Sequence, residues 1–310
     1  MDPMLNTESS VAAATAVRVE RILCPVDLSE CAMTAYLHAQ SIASRFRAVL
    51  IVQYVVELDQ HPTLFYTVSP KVEEFRRNLV SNGQIDLRYF VTTFGGVQPP
   101  ECIVQDVFGP AADAILAVAR EQAVSLIVLG THGRRGIDRM MLGSVTERVL
   151  RHASCPVLAI RPTAPEPGKR EVGDDAVEIR RILCCIDFSA SSKKAVELAL
   201  SLAEGYAGEV TLLHVLEDVW GSADIAEEMT TTTENLEKLL PPSACNSTRI
   251  HLEMRVGRPC QEILRFACEG QSDLIVAGTR GRQTLDRAVF GSTTSRVIQL
   301  SPCPVLAIPV

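Results

Sequence analysis

Apolar positions along the chain form short continuous runs that alternate with segments of helical periodicity. Residues 22–26, 49–56 and 124–129 are the clearest runs in the first part of the chain. Residues 31–46 and 111–121 instead repeat apolar side chains every three to four positions, as one face of a helix does. Apolar strands that alternate with helices are typical of a parallel sheet covered by helices on both faces. The pattern therefore predicts a doubly wound α/β fold.

The whole pattern occurs twice. Residues 21–24, Arg-Ile-Leu-Cys, return at 181–184, and residues 155–160, Cys-Pro-Val-Leu-Ala-Ile, return at 303–308. The two offsets are 160 and 148 residues, so the copies differ in length by about 12 residues between these landmarks. A period of this length indicates a duplicated domain and not a solenoid repeat. We expect two tandem domains, each with a five-stranded parallel sheet.

The duplication and the local composition divide the chain into four segments. Residues 1–17 are predicted to be a flexible tail, 18–162 the first domain, 163–178 a linker and 179–310 the second domain. Proline, glycine and charged residues are frequent in the linker, which favours a semi-extended connection. The two copies differ most in segments 57–98 and 217–247, where we expect partner specificity.

Composition narrows the class of protein. The 47% of hydrophobic and 22% of charged residues predict a packed core and exclude a mainly disordered chain. The net charge of −7 argues against a dedicated nucleic-acid binder. The sequence shows neither an apolar run long enough to cross a membrane nor a secretory signal at its start. We therefore expect a soluble cytoplasmic protein whose ten cysteines are mostly reduced thiols.

Two loops of each copy are expected to form a ligand-binding site. Ligands of doubly wound sheets bind beyond the carboxyl ends of the strands, where the strand order reverses. This rule selects the loops that begin at Asp27 and at Gly130. The second loop reads Gly-Thr-His-Gly at 130–133, then nine residues, then Gly143-Ser144; the other copy has Gly-Thr-Arg-Gly at 278–281 and Gly291-Ser292 at the same spacing.

Each glycine loop has the features of an anion site. Glycine allows positive φ and lets a ligand approach the backbone closely. A helix that opens at Gly143-Ser144 offers N–H groups and a partial positive charge to a phosphate. We expect Ser144 and Ser292 either to cap their helices or to donate to a phosphate oxygen. Turn geometry alone explains one such loop, but two full copies at the same point of the fold favour binding.

A family resemblance joins these features. Asp27 at the end of the first strand, the Gly-x-x-Gly-x9-Gly-Ser signature and the final Cys-Pro-Val-Leu strand resemble the universal stress protein family. The resemblance covers both copies, about residues 20–162 and 179–310. It implies a tandem universal stress protein with the Rossmann-like, adenine nucleotide alpha hydrolase-like fold. It also implies that each copy binds ATP, together with Mg²⁺, because family members with this signature bind ATP.

The resemblance also assigns site residues in both copies. It places Asp27 near the adenosine end of the nucleotide and the backbone of Val55 at the adenine edge. The phosphate and ribose loop of the first copy then consists of Gly130, His132, Gly133, Gly143, Ser144 and Val145. The matching residues of the second copy are Asp187, Val215, Gly278, Arg280, Gly281, Gly291, Ser292 and Thr293. Because Pro25 becomes Cys185 and His132 becomes Arg280, the two sites need not have equal affinity.

Arginines follow each glycine loop. Arg134 and Arg282 stand directly after a loop glycine, where a guanidinium group suits a triphosphate. Arg135, Arg139 and Arg287 are predicted to be solvated surface residues.

The sequence offers no catalytic set and no metal-binding set. It contains neither a P-loop nor a nucleophile elbow with a plausible triad, and its cysteines lack zinc-type spacing. We therefore expect an ATP-binding regulatory or signalling protein of the stress response, with at most weak ATP hydrolysis. One alternative is a slow ATPase, or an autophosphorylating or nucleotidyl-transferring enzyme, on the same fold. A nucleotide-free interaction module is another.

The last strand of each copy predicts how the copies meet. Residues 157–160 and 305–308 are apolar and are expected at a sheet edge, which favours pairing with another strand. We expect the two copies to pair through these strands, as an intramolecular pseudo-dimer with approximate twofold symmetry. A further homodimer of whole chains is compatible with the sequence.

Overall fold

The two copies form one continuous α/β structure. The computed structural model describes residues 19–58, 70–95, 99–133, 141–161, 177–217, 225–241, 248–280 and 291–310. The strands are β1 (Arg21–Val26), β2 (Val49–Glu57), β3 (Glu101–Val107), β4 (Leu126–Gly130), β5 (Val157–Ile160), β6 (Arg181–Ile186), β7 (Glu209–Leu216), β8 (Arg249–Val256), β9 (Leu274–Gly278) and β10 (Val305–Ile308). The helices are α1 (Glu30–Phe46), α2 (Pro70–Phe94), α3 (Ala111–Glu121), α4 (Ser144–His152), α5 (Ala190–Tyr206), α6 (Ile225–Glu237), α7 (Pro259–Glu269) and α8 (Ser292–Leu300).

The strands of the described residues make a single sheet in the order β3-β2-β1-β4-β5-β10-β9-β6-β7-β8. Within each half the neighbouring strands are parallel, as the sequence predicts. The chain runs outward from β1 to β3 and then returns to β4 on the other side of β1. This reversal places the loops after β1 and β4 side by side at the carboxyl ends of the strands.

The two halves meet at an antiparallel pair of strands. Leu158 of β5 stands opposite Leu306 of β10, and both side chains are buried. This pairing confirms the predicted association of the last strands. It also means that neither strand presents an open edge to solvent.

Helices cover both faces of the sheet, and each layer contains helices from both halves. On one face, α1, α2, α5 and α6 bury residues such as Tyr36, Phe90 and Leu236 in a core that extends across the two halves. On the other face, α3, α4, α7 and α8 contribute to a second core that is equally shared, with Val149 and Val297 among its members. The hydrophobic interior therefore does not divide at the boundary between the copies.

Helices α1 and α5 make a second contact between the halves. The Ser41 hydroxyl lies 3.0 Å from the Tyr206 hydroxyl and donates to the Val177 carbonyl oxygen at 2.9 Å. The Arg45 guanidinium stacks over the Tyr206 ring at 5.1 Å from its centroid. A Cβ on Gly205 would lie 2.6 Å from the Phe46 ring, so the close approach of the two helices requires glycine there.

Helix α2 is longer than predicted. The sequence pattern predicts a helix over 70–79, whereas α2 has 25 residues and its counterpart α6 has 13. Gly83, which lowers helix propensity, interrupts the pattern. Its missing side chain lets α2 pack on the ring of Tyr54, since a Cβ there would stand 3.1 Å from two ring carbons. Leu87 and Phe90, on the part of α2 that follows Gly83, have buried side chains, so tertiary packing extends the helix past this glycine.

No helix within the described ranges is both long enough and apolar enough to span a membrane.

We predict that the shared cores make the two halves unfold together. Leu158→Ala removes a buried side chain at the strand pair and should lower the free energy of unfolding by about 2–5 kcal/mol. Urea unfolding, combined with hydrogen exchange of each half, should show one transition that moves for both halves. Leu300→Ala, at a leucine that is 42% exposed, is the matched control and should change stability by less than about 0.5 kcal/mol. Two separate transitions, with only the first half destabilised, would contradict the shared core.

Candidate functional site

An aspartate follows the first strand of each half and begins a strained turn. Asp27 comes directly after β1 and Asp187 directly after β6. The next residues, Leu28 and Phe188, have left-handed φ angles of 65° and 57°. A non-glycine residue in this region costs about 1–3 kcal/mol, and such strain clusters at functional sites. Arg47 and Ala207, and Ala123 and Gln271, have positive φ in both halves as well, but they precede strands. Leu28 and Phe188 follow the carboxyl ends of strands, where ligands of doubly wound sheets bind, so these turns are the candidate site.

Hydrogen bonds hold both aspartates in place. Asp27 Oδ1 accepts from the Ser29 backbone N–H at 3.1 Å and from the Ser29 hydroxyl at 2.6 Å. Asp187 Oδ1 accepts from the Ser189 N–H at 2.9 Å and from the Ser192 hydroxyl, also at 2.9 Å. Each carboxylate is therefore tied to the start of the following helix and keeps a defined orientation.

The end of β4 is hydrogen-bonded directly to the start of α4. The Gly143 N–H donates to the Thr131 carbonyl oxygen at 2.9 Å, and the Thr146 hydroxyl donates to the Gly130 carbonyl oxygen at 2.8 Å. The Thr131 N–H in turn donates to the carbonyl oxygen of Ile160, at the end of β5, at 2.8 Å. We call this set of three hydrogen bonds the loop closure of the first half. It fixes the N-terminus of α4 beside the strand ends.

The second half repeats the loop closure bond for bond. The Gly291 N–H reaches the Thr279 oxygen at 2.8 Å, and the Thr294 hydroxyl reaches the Gly278 oxygen at 2.6 Å. The Thr279 N–H donates to the Ile308 oxygen at 2.8 Å. No role was predicted for these threonines from the sequence. The signal was present, because the threonines at 131 and 146 both recur 148 residues later.

The loop glycines are required because a side chain at these positions would clash with neighbouring atoms. The expectation that they adopt positive φ was wrong. The residues with positive φ in the described chain do not include Gly130, Gly133, Gly143, Gly278 or Gly291. A Cβ on Gly130 would lie 2.6 Å from Cys31 Sγ, and one on Gly133 would lie 2.7 Å from Asp27 Oδ2. A Cβ on Gly143 would lie 3.0 Å from the Thr131 oxygen. The absence of side chains therefore lets the loop and the aspartate turn pack against each other.

The helices open at glycine and not at serine. Gly143 and Gly291 are the N-cap residues of α4 and α8, and neither cap has a side-chain hydrogen bond. Ser144 and Ser292 are the first residues of their helices, so capping, one of the two roles expected of them, was wrong. They lie with Val145 and Thr293 in the first turn, where the N–H groups and the helix dipole favour an anion.

His132 and Arg280 make the two loops chemically different. A hydrogen bond of 2.9 Å joins His132 Nδ1 to the Thr131 hydroxyl, and within the described residues the buried Nε2 has no partner. The predicted residues Arg134, Gly281 and Arg282 lie outside the described residues, as do the surface candidates Arg135, Arg139 and Arg287.

A cysteine that the sequence analysis left unassigned lies in the first site. Cys31, on the first turn of α1, packs against Gly130, and its thiol donates to the Ile160 carbonyl oxygen at 3.4 Å. Burial raises the pKa of this thiol, so it is a neutral packing group. Its counterpart in the second half is Ser191, whose hydroxyl lies 3.0 Å from that of Ser189.

Val55 lies near the carboxyl end of β2, and a buried amide stands next to it. Gln53 has a side chain with 0% exposure, and its Nε2 donates to Gln105 Oε1 on β3 at 3.3 Å. The contact between these two glutamines was not predicted from the sequence. The available signal was one polar residue inside the apolar run at 49–56. In the second half Val215 occupies the position of Val55.

A cavity lies away from these loops. It measures about 540 Å³ and is found at the opposite, amino end of the strands in the second half. The arginines that line it are paired with acids: Arg180 with Glu178, Arg181 with Asp273 and Arg249 with Glu209. It has no net charge to attract a ligand, which favours the loop closures as the functional sites. Within the described ranges, His, Cys, Asp and Glu form no cluster of three or more that could hold a metal ion.

Comparison with known proteins assigns the family. The model of the universal stress protein family matches residues 18–161 and 178–309. The chain belongs to the universal stress protein family. It carries two universal stress protein domains in tandem, as the sequence predicted.

Individual relatives agree with this assignment. A universal stress protein of Methanocaldococcus jannaschii is 31% identical over 147 residues, which are 47% of this chain and 85% of that protein. A universal stress protein of Mycolicibacterium smegmatis is 26% identical over 196 residues, 60% of this chain and 62% of that protein. The crystal structure of a universal stress protein from Archaeoglobus fulgidus is 21% identical, covers 94% of this chain and 97% of its own, and has a TM-score of 0.65. The fold is the Rossmann-like, adenine nucleotide alpha hydrolase type.

We predict that Gly133 and Asp27 are energetically coupled. Gly133→Ala places a methyl group 2.7 Å from Asp27 Oδ2 and should lower the free energy of unfolding by roughly 1–3 kcal/mol. In an Asp27→Ala background most of this loss should disappear, because the clashing oxygen is gone. A double-mutant cycle by urea unfolding measures the coupling. Strictly additive losses would show that the two residues do not touch.

We also predict the order in which the thiols react. Burial raises the pKa of Cys155 and of Cys303 to about 11, so at pH 8 only about one such thiol in a thousand is a thiolate. Exposed Cys102 and Cys268 should therefore react first with iodoacetamide, as followed by peptide mass spectrometry. Labelling of the buried pair should rise toward pH 11, since their thiolates form only there. In denaturant all four should react alike, and an unchanged order there would contradict burial as the cause.

Proposed function

We propose that each half of this universal stress protein binds one adenine nucleotide, ATP together with Mg²⁺. Nucleotide binding would then regulate the protein in a stress response. The observation that carries the proposal is the repeated loop closure, which fixes a helix N-terminus beside an aspartate at the carboxyl ends of the strands. One site is assigned to each predicted domain, 18–162 and 179–310.

The phosphates are assigned to the first turn of α4 and its counterpart in α8. Backbone N–H groups at a helix N-terminus donate to anions, and the helix dipole adds to the attraction. Glycine at 143 leaves the cap open to close approach. The hydroxyls of Ser144 and Ser292 are the side-chain donors of this turn, and the triphosphate brings its own Mg²⁺.

The sugar and the base are assigned from the order of the strands. Strands lie about 4.8 Å apart, so β2 is about 10 Å from β4, with β1 between them. An extended nucleotide whose phosphates lie at α4 therefore crosses Asp27 and brings its base to Val55. The carboxylate of Asp27 is an acceptor for the ribose hydroxyls. Asp187 and Val215 have the same relation to α8.

The two sites are proposed to bind with different affinities. Arg280 brings a permanent positive charge to the second loop, where the first has His132. The thiol of Cys31 in the first site is replaced by the Ser191 hydroxyl in the second. The proposal assigns no catalytic residue, and it places the function in ligand-dependent conformation or partner choice.

The test is the number of nucleotides that leave the purified chain on denaturation, measured by chromatography and mass spectrometry. We expect up to two ATP per chain. Gly143→Val and Gly291→Val are matched variants, because their Cβ atoms would lie 3.0 and 3.1 Å from the carbonyl oxygens of Thr131 and Thr279. Each should remove the nucleotide of its own half and leave the other.

A thermal melt provides the second readout. If the nucleotide is present at about 100 times its Kd, binding adds about 2.7 kcal/mol to stability. For a chain of this size, whose unfolding entropy is about 0.65 kcal/mol/K, that raises Tm by roughly 4 °C. A folded sample that releases no nucleotide and shows no shift with ATP and Mg²⁺ would overturn the proposal.

A further inference from the structure

We propose that Gln105, held by the buried Gln53, selects the base of the nucleotide in the first half, and that the second half lacks this selection. In this proposal Gln105 is the specificity-determining residue and Gln53 is a positioning residue. The inference rests on the proposed nucleotide function and adds to it a difference between the two sites.

Gln53 is a buried amide with an unmet hydrogen bond. Its side chain has 0% exposure, and its Nε2 donates to Gln105 Oε1 at 3.3 Å. Its own Oε1 has no hydrogen-bond partner in the described part of the chain. A buried acceptor left unpaired is unfavourable, so the pair is better satisfied when a donor reaches it. An N–H group of a ligand is such a donor.

Strand register places the pair beside the proposed base site. Gln105 stands opposite Val55 in the ladder between β2 and β3, and Gln53 stands opposite Pro25 of β1. Side chains alternate between the two faces of a strand, so Gln53 points to the same face as Ile51 and Val55. That face carries the core shared with α3 and α4, so the amides lie on the same side of the sheet as the loop closure.

The distance also fits. Counted from β4, the strands β2 and β3 are about 10 and 14 Å away. A nucleotide that is anchored by its phosphates at α4 and passes Asp27 brings its base to these two strands. The Gln53–Gln105 pair is therefore the polar group that the base edge meets.

The chemistry of the pair matches adenine. On its N1 edge, adenine presents an amino donor next to a ring-nitrogen acceptor, and the acceptor and donor atoms of glutamine amides complement this pattern through two hydrogen bonds. Here Gln105 Nε2 supplies the donor, and the unpaired Gln53 Oε1 supplies the acceptor. With Gln53 donating to Gln105 Oε1, Gln105 Nε2 is the amide group of Gln105 that is left to donate to the base. A base with an oxo group in place of the amine then meets two mismatches.

The second half has no equivalent pair. Leu213 occupies the position of Gln53, and the residue opposite Val215 is Arg255. Arg255 is engaged by α7, since its guanidinium stacks over Phe266 at 5.2 Å from the ring centroid and lies 3.6 Å from Glu269. The base edge in this half therefore meets an apolar side chain and a cation that is already paired.

The test compares ATP with inosine triphosphate, which carries an oxo group where adenine has its amine. In the full-length Gly291→Val chain, only the first site is expected to bind nucleotide. Calorimetry should then give a Kd for ATP that is about 5- to 150-fold lower than the Kd for inosine triphosphate. Gln105→Glu removes the donor at constant size, and Gln53→Leu introduces the residue of the other half. Both variants should bring the ratio of the two Kd values close to one. Tripolyphosphate, which has no base, should bind all three chains equally.

The reciprocal experiment uses the second site. In the Gly143→Val chain the ratio should already lie near one, and Leu213→Gln with Arg255→Gln should raise it. An unchanged ratio in Gln105→Glu, or equal weakening of ATP, inosine triphosphate and tripolyphosphate in Gln53→Leu, would overturn the inference and leave nucleotide binding intact. If the unmutated chain binds neither ATP nor tripolyphosphate, the proposed function fails and this inference with it.

Discussion

Every part of this molecule depends on the antiparallel pairing of β5 with β10. A doubly wound domain ends in an apolar strand whose outer edge has unpaired backbone groups. Here each half supplies the partner for the other, and Leu158 and Leu306 meet at the centre of the pair. The two cores then merge above and below the sheet, so the halves are parts of one body. The loop closures and the aspartate turns of both halves lie within two strands of this pairing.

The sites themselves depend on close backbone contact. The loop closure joins the end of a strand to the start of a helix by hydrogen bonds, and in the first half the aspartate turn packs against the same loop. Glycine is needed because a methyl group would collide with Asp27, Cys31 or a carbonyl oxygen. The same bonds occur in both halves, although most of the surrounding residues differ. The two halves therefore share the hydrogen bonds that set the backbone geometry of the site.

What differs between the halves concerns the ligand. His132 and Arg280 change the charge beside the loop, and Cys31 and Ser191 change the packing under it. The register of the third strand also differs. Val55 pairs with Gln105, but Val215 pairs with Arg255, two residues beyond the position that the 148-residue offset predicts. An even shift keeps side chains on the same faces and changes which one stands beside the base site. A duplicated fold can in this way carry two unlike sites.

The sequence by itself determined the alternation of strands and helices, the duplication, the pairing of the last strands and the position of the glycine loops. These follow from local periodicity and from repeated spacing, which need no knowledge of distant contacts. Only the tertiary structure decided why the loop glycines are glycine, how far α2 extends, which residues face each other across β2 and β3, and that Gln53 meets Gln105. Each of these depends on residues far apart in the chain, such as Gly83 with Tyr54 or Gly130 with Cys31. Their contacts are set by packing density and strand register, and neither property is encoded in any single segment.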